Sequence, residues 1–369
     1  MTYTKLAVGS TIGIIGGGQL GKMMAQSAQA RGFKVAVLDP DDTCPARYVS
    51  HHFIQAPYND SEALQQLGAL SDVITYEFEN ISGEALSKIT SQFNVPQGAE
   101  TVVTLQNRLA EKTALKEAGA AVVPFVSVTN QEGLQEAAET LGFPFMLKTT
   151  FGGYDGKGQL VIASAEDFKQ ADELLAVRPC VAEKRINLKS EISITATAAV
   201  DGQVVFFPVQ ENIHRNQILY KTTVTGEHPS QAQAVDEVKK IMQAIYFVGT
   251  FTVEFFIDQD DTLYVNEIAP RPHNSGHYSI EACDYSQFDT HILSVAGWQL
   301  PERIELLKPA VMFNLLGQDL DTMEDVFSDH ADWHVHVYGK ETRKDNRKMG
   351  HVTILDLNND YEAIYKERM

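Results

Sequence analysis

An α/β and α+β multidomain fold is predicted for this chain of 369 residues. Three observations predict it. Strand and helix signals alternate through residues 1–104, as in a parallel sheet covered by helices. The elements that follow read as a smaller α+β module and then a tight hairpin. The length exceeds what one ordinary core organises, so two or three domains are expected.

Residues 11–16 (TIGIIG) form a buried strand, 19–30 a helix, 34–39 (KVAVLD) a second strand, and 72–78 (DVITYEF) a later one with a helical stretch before it. Residues 105–119 (LQNRLAEKTALKEAG) read as a helix that stops at Gly119. Short strands at 122–128 and 145–149 flank a helix at 132–141. A glycine loop, 152-GGYDGKG-158, and a strand at 159–163 complete a small module with a mobile loop. Strands resume at 181–186 and 191–200, a helix follows at 231–246, and 251-FTVEFFIDQDDTLYVNEIAP-270 reads as the hairpin. After residue 297 the character changes, with Pro301, Pro309 and strand-like runs at 334–338 and 351–355. The sequence shows no internal repeat or low-complexity tract.

The balance of 30 basic and 49 acidic side chains, net −19, argues against general binding to nucleic acid or anionic membranes. An anionic substrate stays open, because local clusters decide that. One basic cluster stands out: Lys340, Arg343, Lys344, Arg347 and Lys348. No apolar run reaches the roughly 18 residues that span a bilayer. The first residues, MTYTKLAVGSTIGIIGGG, lack the basic region, long apolar core and cleavage site of a signal peptide. Cys44, Cys180 and Cys283 are widely spaced and suggest neither a disulfide framework nor a zinc site. A cytoplasmic protein with reduced thiols is expected.

Chemistry enters with the hairpin. A loop at Asp260-Asp261 sets Glu254 directly opposite Glu267. Cross-strand partners on one face have Cβ atoms roughly 5 Å apart, and like charges placed there repel. Such a pair calls for a cation, and hard Mg²⁺ takes carboxylate oxygens and commonly holds substrate phosphates too. Two Glu sharing a solvated face is the simpler alternative. A slip of one residue would send them to opposite faces. The concentration of Asn266, Arg271, His273 and Asn274 around Glu267 favours a metal-nucleotide site.

Two glycine motifs point to phosphates. Gly16-Gly-Gly18-Gln-Leu-Gly21 matches G-x-G-x-x-G at a strand-to-helix turn, and Asp39 ends the next strand. This is the pattern of a Rossmann-like domain, and its physics is a set of N–H groups at a helix N-terminus able to hold a phosphate. Glycines serving only tight packing are the alternative. A P-loop is rejected, because Met23 stands where Ser or Thr must meet Mg²⁺. The second motif, 152–158, has four Gly in seven with Lys157 inside, between two strands. Its amides can fold over nucleotide phosphates, with Lys148 at the end of the preceding strand to neutralise charge. A plain hairpin tip is the competing reading.

Together these elements resemble the ATP-grasp superfamily. Within it the chain is most similar to the family of 5-(carboxyamino)imidazole ribonucleotide synthetases, the ATPase subunits of ATP-dependent phosphoribosylaminoimidazole carboxylase in purine biosynthesis. GGGQLG at 16–21, YEFEN at 76–80, FGGYDGKGQ at 151–159, NEIAPRPHNSGHY at 266–278 and RKMGH at 347–351 carry the resemblance over nearly the whole chain. It implies three parts: an N-terminal Rossmann-like domain (1–104), an ATP-grasp domain (105–296) with a mobile lid subdomain at about 120–182, and a small C-terminal domain (297–369) packing on the ATP-grasp core. The implied reaction joins ATP, bicarbonate and 5-aminoimidazole ribonucleotide through carboxyphosphate, releasing ADP and phosphate. Mg²⁺, or Mn²⁺ in its stead, and a homodimer are implied as well.

The resemblance also implies residue roles. Glu254 and Glu267 hold the metal, with Asn266 beside them. Arg108 and Lys148 neutralise phosphate, and Gly153, Tyr154, Asp155, Gly156, Lys157, Gly158 and Gln159 close over it. Glu183, Lys184, Arg185 and Ile186 form the adenine hinge, Glu191 takes ribose hydroxyls, and His214 contacts the nucleotide. Gly18, Gln19 and Leu20 amides with Lys340 and Arg347 hold the ribonucleotide phosphate, and Glu77 and Asn80 contact its ribose. Arg271, His273, Asn274, Tyr154 and Asp155 face the reacting groups.

Two positions depart from the family pattern. Ala269 stands where many ATP-grasp enzymes have a third metal ligand, an Asn, and 344-KDN-346 replaces an expected Pro-Gly turn. Three rival readings are set against this one: a nicotinamide-dependent oxidoreductase built on the 16–21 loop and Asp39, a sibling ligase such as the formate-dependent glycinamide ribonucleotide transformylase, and a non-catalytic nucleotide-binding protein.

Overall fold

The computed structural model describes residues 5–152, 158–357 and 360–368. The N-terminal part is a parallel sheet in the order β3-β2-β1-β4, built from β1 (Thr11–Ile15), β2 (Lys34–Asp39), β3 (His52–Gln55) and β4 (Val73–Tyr76). Helices α1 (Gln19–Ala30), α2 (Ser61–Leu70) and α3 (Gly83–Thr90) cover it. β1 and β2 are near-continuous apolar runs because both of their faces are buried. β3 was not anticipated: in His-Phe-Ile-Gln only Ile54 is buried, which is too little for a period to show.

The helix expected at 105–119 is α5 (Arg108–Glu117), and a separate short helix that was not anticipated, α4 (Glu100–Leu105), precedes it. Asn107 separates the two. Its side chain accepts from the Leu109 and Ala110 amides at 3.0 and 3.2 Å, a cap that starts α5 afresh. The expected stop is present, with Gly119 at φ +72°. A four-stranded antiparallel module follows in the order β5-β8-β6-β7. It comprises β5 (Phe125–Val128), α6 (Gln131–Leu141), β6 (Phe145–Thr149), β7 (Gln159–Ile162), α7 (Phe168–Val177) and β8 (Cys180–Lys184).

The rest is one large, mainly antiparallel sheet in the order β14-β13-β9-β11-β12-β15-β17-β16, with β10 added at β9. Its elements are β9 (Leu188–Ala198), β10 (Val204–Phe206), β11 (Gln210–Arg215), β12 (Ile218–Val224), α8 (Gln231–Ala244), β13 (Gly249–Asp258), β14 (Leu263–Ala269), α9 (Ser279–Ala282), α10 (Gln287–Val295), β15 (Ala310–Leu316), α11 (Gly317–Met323), β16 (Trp333–Val337), β17 (Lys348–Leu355) and α12 (Asp360–Arg368). Pairing of β15 with β12 carries the C-terminal strands into the same sheet as the hairpin. No helix of the described residues is long and apolar enough to cross a membrane.

Strict period-two alternation makes this sheet two-faced. Ile192, Ile194 and Ala196 of β9 and Phe251, Val253 and Phe255 of β13 bury one face in the main apolar cluster, against α8. The other face carries Ser193, Thr195 and Thr197, then Thr250, Thr252 and Glu254. Its buried hydroxyls pair across strands, Thr195 with Thr252 at 2.9 Å and Thr197 with Thr250 at 2.8 Å. Glu254 therefore ends a row of hydroxyls on the polar face.

Phe251 is 1% exposed and stacks on Phe247 at 4.0 Å between ring centroids. Truncating it to alanine should cost about 3–5 kcal/mol of unfolding free energy. Denaturant titration measures this, and an unchanged midpoint would deny the apolar face its central role.

Candidate active site

Glu254 and Glu267 pair directly, as the hairpin reading expects. They do so through two compensating irregularities. The turn runs from Asp258 to Thr262: Ile257 pairs with Leu263, and Asp258 Oδ1 accepts from the Asp260 and Thr262 amides at 3.0 and 2.8 Å. That shifts the register by one residue. A bulge at Asn266 shifts it back, so that Phe255 faces Val265 while Glu254 faces Glu267. Burial, and next the Glu267 charge, push the Glu254 carboxyl up to about 7.

Cations and an imidazole flank the pair. Arg108 Nη1 is 3.7 Å from Glu267, and His273 Nε2 is 3.3 Å from Glu254. Among the described residues no group of three His, Cys, Asp or Glu forms a metal-ligand set. Two carboxylate donors nevertheless fit Mg²⁺, which keeps waters and takes substrate phosphates for its remaining positions.

Lys148 does not stand alone. Its Nζ lies 2.8 Å from Glu183, whose other oxygen is 3.4 Å from Lys112. Burial opposes ionisation of Glu183, but the two lysines prevail and hold its carboxyl below the ordinary range. The Glu183 side chain is thus an ion-pair centre as well as part of the expected hinge. Beyond it β8 ends at Lys184, and Lys184, Arg185 and Ile186 lead into β9. Glu191 and His214, on neighbouring strands, meet at 2.5 Å. Gly158 has φ +72°, and Gln159 bonds Gln217 at 2.5 Å. The predicted contacts Gly153, Tyr154, Asp155, Gly156 and Lys157 lie outside the described residues.

The N-terminal glycine loop holds an anion of the chain's own. The Gly18 and Gly21 amides donate to the two oxygens of Glu77, each at 2.5 Å. A Cβ at Gly16, Gly18 or Gly21 would approach the Glu77 side chain to 2.3, 2.6 or 3.2 Å. These glycines make room for that carboxylate, so the Gly18 amide is engaged internally rather than open to a ligand phosphate. Asp39 is used in the same way: its Oδ2 accepts from the Gly17 amide at 2.6 Å and the Tyr58 hydroxyl at 2.7 Å. The dinucleotide reading needs Asp39 for a ribose and thereby loses its main support.

Around Glu77 gathers the second half of the site. Lys340 donates to the Lys348 carbonyl at 2.8 Å, and burial, with Arg347 and Lys348 beside it, lowers its pKa to about 8. Arg347 donates to the Thr342 carbonyl. The basic cluster divides here, since Arg343 turns away to Asp321 and Glu324. Arg271 grips Glu79 through Nε at 2.5 Å and Nη2 at 3.2 Å. Asn274 is 8% exposed, and neither amide atom has a hydrogen-bond partner among the described residues. Asn80 is exposed on the loop after β4, and Gln19 and Leu20 begin α1. The expected surface turn at 344–346 is present, with Asn346 at φ +63°.

Sequence reasoning missed Lys112, Glu79 and Lys348 as site residues. Lys348 acts electrostatically on Glu79, Glu254 and His273, which puts its charge between the two halves. Glu111 and Lys112 are both buried on α5, and Glu111 accepts from the Ile268 amide at 2.8 Å, which only the fold reveals.

Three domain families match this chain. They are the ATP-grasp domain over residues 113–288, the ribonucleotide synthetase preATP-grasp domain over 9–106, and the phosphoribosylaminoimidazole carboxylase C-terminal domain over 310–364. The chain is 59% identical over 367 residues to the N5-carboxyaminoimidazole ribonucleotide synthase of Staphylococcus aureus strain MSSA476, covering 99% of this chain and 98% of that one. It is similar to the crystal structure of N5-carboxyaminoimidazole synthetase from Staphylococcus aureus complexed with ADP, at a TM-score of 0.96 and 59% identity over 98% and 99% of the two chains. It is also similar to N5-carboxyaminoimidazole synthase from Aspergillus clavatus in complex with ADP and 5-aminoimidazole ribonucleotide, at a TM-score of 0.89 and 27% identity over 98% and 99%.

Exchanging Glu77 for glutamine leaves one loop amide facing an NH₂ group instead of an acceptor. The expected loss is about 1–3 kcal/mol of stability, read by chemical denaturation. A variant as stable as the parent would show that the loop does not depend on this anion.

Proposed function

We infer the reaction from one premise: this chain belongs to the N5-carboxyaminoimidazole ribonucleotide synthase family of ATP-grasp ligases. It is an ATP-dependent ligase that carboxylates 5-aminoimidazole ribonucleotide in purine biosynthesis. Bicarbonate oxygen attacks the γ-phosphorus and ADP leaves. The amine nitrogen of the ribonucleotide then bonds to the carboxyl carbon and phosphate departs. The observation that carries this reading is the joining of two half-sites by segment 271–274. The carboxylate pair with Arg108 and Lys148 lies on one side, and Glu77 with Lys340 and Arg271 on the other.

The finer assignments are our proposal. Glu254 and Glu267, with Asn266 beside them, hold Mg²⁺ (Mn²⁺ could replace it), which neutralises charge on the ATP phosphates. Arg108, Lys148 and the loop 153–159 hold those phosphates. Glu183 to Ile186, Glu191 and His214 hold the adenosine. Lys340 and Arg347, joined by amides at Gln19 and Leu20, take the ribonucleotide phosphate; Gly18, whose amide Glu77 occupies, is left out of that set. Glu77 and Asn80 meet its ribose. Arg271, His273 and Asn274, with Tyr154 and Asp155, face bicarbonate and the amine. The Glu77 carboxylate between the loop amides and Lys340 supports its role as a fixed acceptor for hydroxyls. A cytoplasmic homodimer belongs to the same proposal. So does the division into 1–104, 105–296 and 297–369, which the matched segments 9–106, 113–288 and 310–364 support.

ADP release from Mg²⁺-ATP should require both bicarbonate and 5-aminoimidazole ribonucleotide. Formate-dependent turnover instead would point to the sibling ligase. In Glu267→Gln this release should fall by roughly two orders of magnitude, the equivalent of about 2.7 kcal/mol of charge stabilisation, with the thermal midpoint preserved. Retained turnover would overturn the metal assignment.

Because the Lys340 pKa is lowered to about 8, its positive charge is lost as pH rises through that value. KM for the ribonucleotide should therefore climb between about pH 7 and 9 in the parent. Lys340→Arg, which keeps its charge, should show a flat profile. A flat profile in the parent would remove Lys340 from the phosphate site.

A further inference from the structure

Segment 271–274 carries Arg271, His273 and Asn274 between the two half-sites, yet it belongs to neither a strand nor an α-helix. Something outside it must hold its backbone. Gln287, the first residue of α10 and fully buried, does so. Its Oε1 accepts from the His273 amide at 2.8 Å, and its Nε2 donates to the His273 carbonyl at 2.7 Å. One side-chain amide thereby satisfies both backbone groups of one residue, as a neighbouring strand would. The remaining Nε2 hydrogen reaches His277 Nδ1 at 3.0 Å. Gly276 permits this approach, since a Cβ there would lie 2.5 Å from Gln287 Oε1.

The clamp is tied at both ends. On the site side the clamped residue presents its imidazole to Glu254, with Nε2 at 3.3 Å and Nδ1 bonded to the Ser275 hydroxyl at 2.9 Å. On the scaffold side the Gln287 carbonyl accepts from the Thr250 hydroxyl at 2.9 Å, four residues before Glu254 on β13. Further along α10, Thr290 meets Thr197 at 2.7 Å. His291 accepts from the Thr250 amide at 3.0 Å and contacts Thr75 of β4 at 2.8 Å. The helix that bears Gln287 is thus locked to the metal strand and to the N-terminal sheet together.

We propose that Gln287 is a positioning residue for carboxyl transfer: by clamping the His273 backbone it fixes His273 against Glu254 and keeps Arg271 and Asn274 facing the reacting groups. This rests on the function proposed above. Loosening the clamp leaves ATP bound but lets the segment drift from the carboxyl donor, so ATP cleavage and carbamate formation separate.

The test is Gln287→Met, close in size and without either hydrogen bond, compared with His273→Ala and the double variant. ADP and carbamate are both measured. Gln287→Met should lower kcat by about 10–100-fold, the range seen when groups that orient active-site ligands are removed, with KM for ATP within about twofold of the parent. The ratio of ADP to carbamate should rise above that of the parent. In the His273→Ala background the Gln287→Met change should cost clearly less than in the parent, the remainder coming from Arg271 and Asn274, because residues acting through one another are not additive. If the methionine variant does not fold, Gln287→Glu, which still accepts from the His273 amide but cannot donate, takes its place. Additive losses, a parent-like kcat, or equal damage to ATP binding would overturn the proposal while the function stands. A parent protein whose ADP release ignores the ribonucleotide would overturn the function and the proposal with it.

Discussion

Two carboxylates facing each other across a hairpin repel, and much of this structure answers that repulsion. A free hairpin could relieve it by slipping one residue, which would turn one Glu to the opposite face. Here slippage is blocked. Phe251, Val253, Phe255 and Ile257 of β13, with Leu263, Val265 and Ile268 of β14, are buried in the main core, so a slip would move that apolar set into the polar layer. The bulge at Asn266 fixes the pairing at the point where it matters. The repulsion adds to burial, the larger cause, in raising the Glu254 pKa, and positive groups, Arg108 and Lys348 among them, stand around the pair.

The same economy of charge governs the N-terminal loop. A helix N-terminus with exposed amides attracts an anion. The loop draws on Glu77, 56 residues beyond Gly21 in the sequence, and this seats a carboxylate at the junction of three segments. Lys22 on α1 donates to the Tyr338 carbonyl at 2.9 Å, and Arg31 pairs with Asp289 of α10 at 2.7 Å. The glycine loop therefore sits at a fixed distance from Lys340 on one side and from segment 271–274 on the other.

Between these anionic centres runs the hydroxyl face of the large sheet. Buried hydroxyls and amides are costly unless paired, and in this layer most are paired. Ser193 bonds Gln210 at 2.9 Å and Ser275 at 2.9 Å, and Thr222 bonds Asn212 at 2.9 Å. Directional bonds of this kind set the position of α10 and the 273–276 segment more narrowly than apolar packing can, because a hydrogen bond weakens within a few tenths of an ångström of misplacement. Among the described residues Asn274 stands out, buried with both of its amide atoms unpartnered.

What the sequence determined by itself was whatever neighbours in the chain decide. The β1-α1-β2 unit followed from continuous apolar runs and a glycine turn. The Glu254–Glu267 pair followed from period-two alternation on both sides of a polar turn. The pair emerged correctly although the turn is longer than assumed, because the bulge that restores the register leaves no mark in composition. Only the tertiary structure decided partners. G-x-G-x-x-G announces an anion but not which one, and Glu77 takes the place a substrate phosphate was expected to fill. Lys112, Glu79 and Lys348 look like surface charges in a string of letters. Gln287, between Ser286 and Phe288, looks like an ordinary helix start. Their roles depend on which distant groups are buried beside them, and the free energy of a charge or amide is set by its surroundings in space rather than by its neighbours along the chain.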